Sequence, residues 1–306
     1  MTEREPSNAP RFRRGTADDI EPCHALLWMT VTDLARRQAT PLDGTAEEWW
    51  ETGEPFHRFL AAHAAEWWVA EDPETREPIG YARSIDRGGM FELTEFFVRP
   101  GHQSRGLGRE LLERAFPLGR GDVRSIIATG ATAALGRYYR AGVVARFPIM
   151  TLAGAPQAIE PDAGLTPVRL PHGEAAVATI GTLEREILGF VRSTGEVDLL
   201  LEQRDGFVYR RGGRDVGFAF VSVGGSGPIG ALDPDDLPDI LRHVETRAAA
   251  LGVEKLELEV PSVNAVAVRH LLERGFRIDP WINYLMSNRP FGQFDRFIGF
   301  SPPLFL

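Results

Sequence analysis

The stretch "FVRPGHQSRGLGREL", residues 97–111, decides the fold. It starts at the apolar end of "GMFELTEFFV" (89–98) and crosses a Pro- and Gly-bearing turn. It then enters a segment with Leu107, Leu111 and Leu112 at helical spacing. The pattern predicts strand, turn, then helix from about Gly106 to Phe116. Gly106 and Gly108 fall where the turn becomes the helix. A helix start presents N–H groups without intrahelical partners and the positive end of the helix dipole. Residues without a Cβ let those amides approach an anion. Arg105 and Arg109 add charge, so the stretch reads as a phosphate cradle.

The elements on either side extend this reading. "RFRRGTADDIEPCHALLWMTVTDLARRQA" predicts a strand and a helix, with Thr16 as N-cap and Asp19 three residues on. "TPLDGTAEEWWETGEPFHRFLAAHAA" is broken by Gly and Pro and predicts a loop with one or two short helices. "EWWVAEDPETREPIGYARSIDR" predicts a hairpin, and the strand 89–98 follows it. Beyond the opening stretch, "DVRSIIATG" predicts a strand and "ATAALGRYYRAGV" a helix closed by Gly142. "RFPIMTL" predicts a last strand. Residues 1–152 thus form a mixed α/β domain, a mostly antiparallel sheet flanked by helices. Residues 153–165 lack periodicity and predict a linker. Residues 166–306 repeat the order of the first half. Gly217 and Gly275 follow Gly80 and Gly142 at nearly constant separation, which predicts two copies of one fold.

At 306 residues, 43% hydrophobic and 25% charged, the chain is long enough for two buried cores. A net charge of −9 opposes non-specific binding to nucleic acid or anionic membrane. Cys23 is the single cysteine, so there is no disulfide framework. His57 and His63 lack the spacing of a helical metal pair, and no metal is expected. The N-terminus has no apolar run of signal-peptide type, and no stretch approaches ~18 apolar residues, so a cytoplasmic location is expected.

Val98-Arg99-Pro100, then Gln103-Ser104-Arg105-Gly106-Leu107-Gly108, resembles the acetyl-CoA motif V-x-P-x-x-[QR]-x-x-G-x-[GA] of the GNAT acetyltransferases. The element order of both halves resembles that fold as well. The resemblance implies that the backbone of Gln103, Ser104, Arg105, Gly106, Leu107, Gly108 and Arg109 holds the pyrophosphate of acetyl-CoA. It also implies that the strand end at Phe97 and Val98 pairs with the pantetheine. Acetyl transfer to an amine needs that amine neutral, and a carboxylate accepts its proton directly or through water. Glu92 and Glu95 are the candidates. They lie on opposite faces of a regular strand, but strands of this family are often bulged, so alternation does not choose between them. Glu95 is preferred because its T-E-F-F-V context is the more family-like. Tyr138, four residues before Gly142 and four after Ala134, resembles the family's general acid for the departing thiolate. Ala131 departs from the family, which often has a cofactor-contacting Asn there.

In the second half, Asp233, Asp235 and Asp236 replace the cradle, and Leu271 stands where Tyr138 stood, although Asn264 keeps the Asn position. Carboxylates repel a phosphate, so this copy is expected to be silent. Trp49, Trp50, Phe56 and His57 are candidates to line the acceptor pocket, with core and lid packing as the alternative. The tail carries Phe291, Phe294, Phe297, Phe300, Phe305 and Leu306. It is expected to dock on its own domain or across the domain interface, the alternative being the acceptor cleft. The expected activity is acetyl-CoA-dependent N-acetylation of a primary amine on a small molecule, by direct transfer. A CoA-binding sensor or scaffold and a protein-lysine acetyltransferase are the alternatives, and monomer and dimer both remain open.

Overall fold

A computed structural model describes residues 9–40, 42–102, 106–159 and 164–300. The chain forms two compact units. One comprises Met1–Asp86, Met90–Ile126 and Ala131–Val143, the other Arg87–Gly89, Ile127–Gly130 and Val144–Leu306.

The first unit runs β1 (Arg11–Arg14), α1 (Ile20–Gln38), α2 (Ala46–Ala62), β2 (Glu66–Glu71), β3 (Pro78–Arg87), β4 (Met90–Val98), α3 (Leu107–Ala115), β5 (Val123–Thr129) and α4 (Thr132–Arg140). Thr16 and Asp19 form the expected capping box ahead of α1. The region expected to break around Pro55 is instead one 17-residue helix, α2, opened by a Thr45–Glu48 capping box. Proline removes a single helix hydrogen bond, and burial of Phe56, His57 and Leu60 on one face holds the helix through it.

The strands of this unit lie in the order β1-β2-β3-β4-β5. β1, β2 and β3 pair antiparallel, whereas β4 and β5 pair parallel from Met90↔Val123 to Leu93↔Ile126. Helices pack on both faces. Ser84 Oγ donates to the Ala115 carbonyl of α3, while neighbouring Arg83 reaches the His57 carbonyl of α2 from the other side. A Cβ at Gly80 would stand 2.8 Å from Leu107 and 2.9 Å from Leu111, so only glycine allows α3 to lie this close to β3.

The second unit contains β6 (Val144–Gly154), β7 (Thr166–Arg169), α5 (Glu174–Leu188), α6 (Thr194–Gln203), β8 (Asp205–Arg211), β9 (Arg214–Val221), β10 (Ile229–Ala231), α7 (Leu237–Ala250), β11 (Leu256–Pro261), α8 (Ala265–Glu273), β12 (Arg277–Ser287) and β13 (Phe297–Ile298). From β7 to β12 the element order is that of β1 to β6. The compact units nevertheless differ from the division at residues 152 and 166. β6 is hydrogen-bonded antiparallel to both β11 and β12, with Ile149 and Leu152 fully buried, so its backbone is satisfied within the second unit. Ala153 and Gly154, expected in the linker, are paired residues of this strand.

One carboxyl in this unit sits against the usual rules. Glu259 on β11 accepts from Thr151 Oγ1 at 2.9 Å, and its Oε2 has no hydrogen-bond partner among the described residues. Burial, with Glu257 and Asp279 nearby, pushes its pKa up to about 7. A folded pKa above the ordinary value stabilises fully below about 4.5 and loses that contribution as pH rises through 7. Glu259→Gln is therefore expected to leave stability unchanged near pH 4 and to raise it by up to roughly 3 kcal/mol above pH 7. Urea titrations at the two pH values check this.

Candidate active site

The end of β4 organises the site. Its parallel pairing with β5 stops at Leu93, and Thr94–Val98 continue beyond it. Phe91 stacks on Phe116 at the end of α3, yet Glu95, four residues on, meets groups on the α2 side. Residues four apart share a face on a regular strand, so alternation breaks between them. Glu92, opposite Ser125 in the register, lies on the face away from Phe91, which is also the face of Glu95. The break therefore sets the two glutamates on one face. Both are buried, at 1% and 3% exposure.

Glu95 is the hub of a buried polar cluster. Its Oε1 accepts from the Tyr81 hydroxyl at 3.0 Å and lies 3.3 Å from His57 Nδ1, and its Oε2 lies 3.2 Å from Arg83 Nε. Arg83 also donates to the His57 carbonyl and rests 4.2 Å over the Trp67 ring. His57 Nε2 meets His24 Nδ1 at 3.2 Å, and His24 Nε2 lies 3.5 Å from the Ala46 carbonyl. Trp50 packs on both imidazoles. Burial alone would raise the Glu95 pKa. The Arg83 charge and the hydrogen bonds from His57 and Tyr81 outweigh it and hold the carboxyl at about 2. Burial and the neighbouring His57 lower the pKa of His24.

On the opposite face, Phe96 meets the Tyr138 ring edge-on at 6.0 Å. Tyr138 is buried, which raises its pKa and keeps the hydroxyl protonated. That hydroxyl has no hydrogen-bond partner among the described residues. The start of α3 lies beside it. Gly106 caps the helix with φ +81° and with open space where a Cβ would stand. A Cβ at Gly108 would come 3.3 Å from Phe96 and 3.4 Å from Arg137 of α4. The first amides bonded inside the helix are those of Arg109 and Glu110, both to the Gly106 carbonyl. The N–H groups of Gly106, Leu107 and Gly108 therefore have no intrahelical partner. Arg124 on β5 donates to Phe116 and Ala141, the terminal carbonyls of α3 and α4, and so fixes the two helices that flank the site.

The expected residues thus divide. Gly106, Leu107, Gly108 and Tyr138 are gathered on one face of β4, and Glu92 and Glu95 lie on the other. Phe97 packs on Tyr81 on the glutamate side, and Val98 is buried. Arg109 is exposed and pairs with Glu113. Gln103, Ser104 and Arg105 lie outside the described residues. Of the expected pocket residues, Trp50 and His57 belong to the cluster, Trp49 packs edge-on to Trp28, and Phe56 is buried. His24, Tyr81, Arg83, Phe96 and Arg137 were not anticipated. Arg83 left a signal, since it interrupts the otherwise apolar or small run "PIGYARSI". His24 left none, because 33 residues separate it from His57.

In the second half the corresponding carboxylates are spent on structure. Asp233 accepts the Asp235 amide, and Asp236 pairs with Arg211 at 2.7 Å. Leu271 is fully buried, and Asn264 caps α8 through the Ala267 amide. Phe291, Phe294 and Phe297 pack on one another, Phe294 also on Phe147, and Phe300 lies under Arg204. Phe305 and Leu306 lie outside the described residues.

The model of the acetyltransferase (GNAT) family matches residues 28–142, which span α2 to α4 and more than half of α1. Residues 28–142 thus carry a GNAT acetyltransferase domain, which makes the chain an acyltransferase, and the GNAT family uses acetyl-CoA as co-substrate. Solved structures match along nearly the whole length. A Pyrococcus horikoshii protein assigned as an acetyltransferase is 17% identical, with a TM-score of 0.71, covering 97% of this chain and 96% of that one. A GCN5-related N-acetyltransferase from Sphaerobacter thermophilus is 18% identical, with a TM-score of 0.63, covering 92% and 96%. A tandem GNAT protein from the clavulanic acid biosynthesis pathway is 15% identical, with a TM-score of 0.53, covering 92% and 99%. At these identities the likeness is one of fold. Among the described residues, no helix is long and apolar enough to cross a membrane.

Proposed function

We propose that this chain is a tandem GNAT enzyme whose first half transfers an acetyl group from acetyl-CoA to the primary amine of a small molecule. The second half, with its cradle acids used as caps and ion-pair partners, takes no part in the chemistry. The tandem reading is supported by the repeated element order, and the division of labour by the asymmetry between Gly106–Gly108 and Asp233–Asp236.

The observation that carries the reading is the two-sided strand end. Direct transfer removes a proton from the attacking amine and supplies one to the departing thiolate, on opposite sides of the acyl carbon. Here a buried carboxylate cluster lies on one face of Thr94–Val98, and on the other a tyrosine hydroxyl without a hydrogen-bond partner among the described residues. The amides of Gly106, Leu107 and Gly108, which have no intrahelical partner, fit a pyrophosphate, with Arg137 as a nearby cation. Gln103, Ser104 and Arg105 complete that loop in the proposal. Acetyl-CoA supplies the activated acyl group. Tyr138 holds the proton for the thiolate, and Glu95, with Glu92 on the same face, serves the amine side. Because Glu95 is held at about 2, it acts through the groups it binds rather than by storing the proton itself.

The test is thiol release from acetyl-CoA across a panel of small amines and lysine peptides, paired with acetyl-CoA-induced thermal stabilisation. Turnover with small amines is expected. Gly106→Glu, which places a carboxylate at the cradle, is expected to abolish the thermal shift, whereas Asp235→Ala is expected to preserve it. Turnover of lysine peptides alone favours a protein acetyltransferase. Stabilisation without turnover of any amine favours a sensor.

A further inference from the structure

We propose that Phe297, Ile298 and Gly299 fill the second half's copy of the groove that takes the amide-bearing arm of acetyl-CoA in the first half. The second half is silent because a strand of its own chain occupies the ligand's place, with the acids as a further barrier. This rests on the acetyl-CoA reading above and extends it to the other copy.

Two hydrogen bonds fix the correspondence between the halves. The Arg99 amide, just past β4, donates to the Ile79 carbonyl at 2.9 Å, and the Leu232 amide, just past β10, donates to the Val216 carbonyl at 2.7 Å. The residue after each acceptor is a glycine pressed under the helix that follows. A Cβ at Gly80 would stand 2.8 Å from Leu107 of α3, and one at Gly217 would stand 2.7 Å from Ile240 of α7. Counting back from these bonds, Phe96, Phe97 and Val98 correspond to Ile229, Gly230 and Ala231.

In the first half, the pairing of β4 with β5 ends at Leu93, so Phe96 and Phe97 lie beyond it. In the second half, β13 lies at the corresponding place. Ile298 pairs antiparallel with Ile229, and Phe297 with Gly230. On its other edge, the Gly299 amide donates to the Glu259 carbonyl of β11 at 3.1 Å. The Phe297 carbonyl accepts from Asn264 Nδ2, at the start of α8, at 3.3 Å. Backbone groups two residues apart on a strand point to the same edge, so Phe297 and Gly299 serve β11 and α8 while Ile298 serves β10. β13 is thus hydrogen-bonded to both walls of the groove.

The filler has the chemistry of the ligand it replaces. The arm of acetyl-CoA is an extended, uncharged chain whose amides donate and accept. Residues 297–300 are an uncharged run whose backbone does the same, with Phe297 and Ile298 fully buried. The approach is close, since a Cβ at Gly227 would strike the Gly299 carbonyl. Arg296, just before the run, donates to the Leu232 carbonyl at 2.5 Å and sets the strand in register at the end of β10.

Hydrogen exchange on the full chain, read residue by residue, tests this. In the unaltered protein, acetyl-CoA should slow exchange at residues 106–110 and leave residues 229–231 and 297–300 unchanged. Slowing at 229–231 would mean that the second groove is open to the ligand and would overturn the proposal, a readout that needs no variant. Ile298→Pro removes the amide that serves β10 and should raise exchange at 229–231 and 297–300 about 10- to 100-fold. Pantetheine lacks the pyrophosphate that the acids repel. It should restore protection at 229–231 in Ile298→Pro and have no effect there in the unaltered protein. Unchanged exchange in Ile298→Pro overturns the proposal, because the strand is then not held by this pairing. Release without restoration by pantetheine overturns it too, and a peptide of residues 297–300 that restores protection in that case identifies a slot for peptide alone. Acetyl-CoA that slows exchange in neither half rejects instead the reading of the first half, and pantetheine with Ile298→Pro still decides the second.

Discussion

Tyr138→Phe is expected to lower kcat by about 100- to 10,000-fold while acetyl-CoA affinity changes by less than about twofold. The substitution removes one oxygen and keeps the ring, so the edge contact with Phe96 and the burial of the side chain survive. Burial raises the tyrosine pKa, so the hydroxyl remains a donor as pH rises into the range where an amine becomes neutral. With no hydrogen-bond partner for that hydroxyl among the described residues, its loss leaves none of them unsatisfied. A stability change therefore stays within a fraction of a kcal/mol. The measurement is steady-state kinetics beside a binding titration with acetyl-CoA. An unchanged kcat would make Tyr138 an ordinary core residue and would favour the sensor reading.

Arg83→Met is expected to destabilise the first unit by about 3 kcal/mol or more at pH 7. Arg83 and Glu95 are 1% and 3% exposed, and removal of the cation leaves a carboxylate deep in the unit with only Tyr81 and His57 for support among the described residues. The pH dependence identifies the cause. In the intact protein the Glu95 pKa is depressed from 4.5 to about 2. Its contribution is complete above about 4.5 and is lost as pH falls towards 2. Without Arg83 the burial cost dominates, so the variant should lose most stability above pH 5 and little near pH 3. Arg83→Met combined with Glu95→Met should recover most of the loss, because no lone charge is then buried. Denaturant unfolding at pH 7 and pH 3 checks both statements. An equal loss at the two pH values would point to packing against Trp67 rather than to charge.

The sequence carried much of this molecule on its own. The strand-turn-helix at 89–116 was legible because period two changes to helical period across glycines that tolerate it. Thr16, Gly106 and Gly142 mark element ends by local chemistry, which acts within a few residues. Tyr138 was singled out by resemblance, and in the structure its ring meets Phe96 of β4. The acids of the second half at Asp233, Asp235 and Asp236 were also visible, and they bring their charge whatever their geometry.

Tertiary structure decided what depends on residues distant in the chain. β6 reads as the last strand of the first half, yet it lies between β11 and β12, because a strand is assigned to a sheet by both hydrogen-bonding edges and not by its own pattern. Glu92 and Glu95 share a face only because alternation breaks where β4 leaves β5, a break that no residue type announces. The role of Glu95 changed most. Its sequence context resembles that of the family's base, and a carboxylate in water is a base. Enclosed with Arg83, Tyr81 and His57, it becomes a fixed counter-charge whose proton affinity is too low for that task. Proton affinity is set by burial and by the nearest charges, and these come from α1, α2 and β3, which meet only in the folded unit.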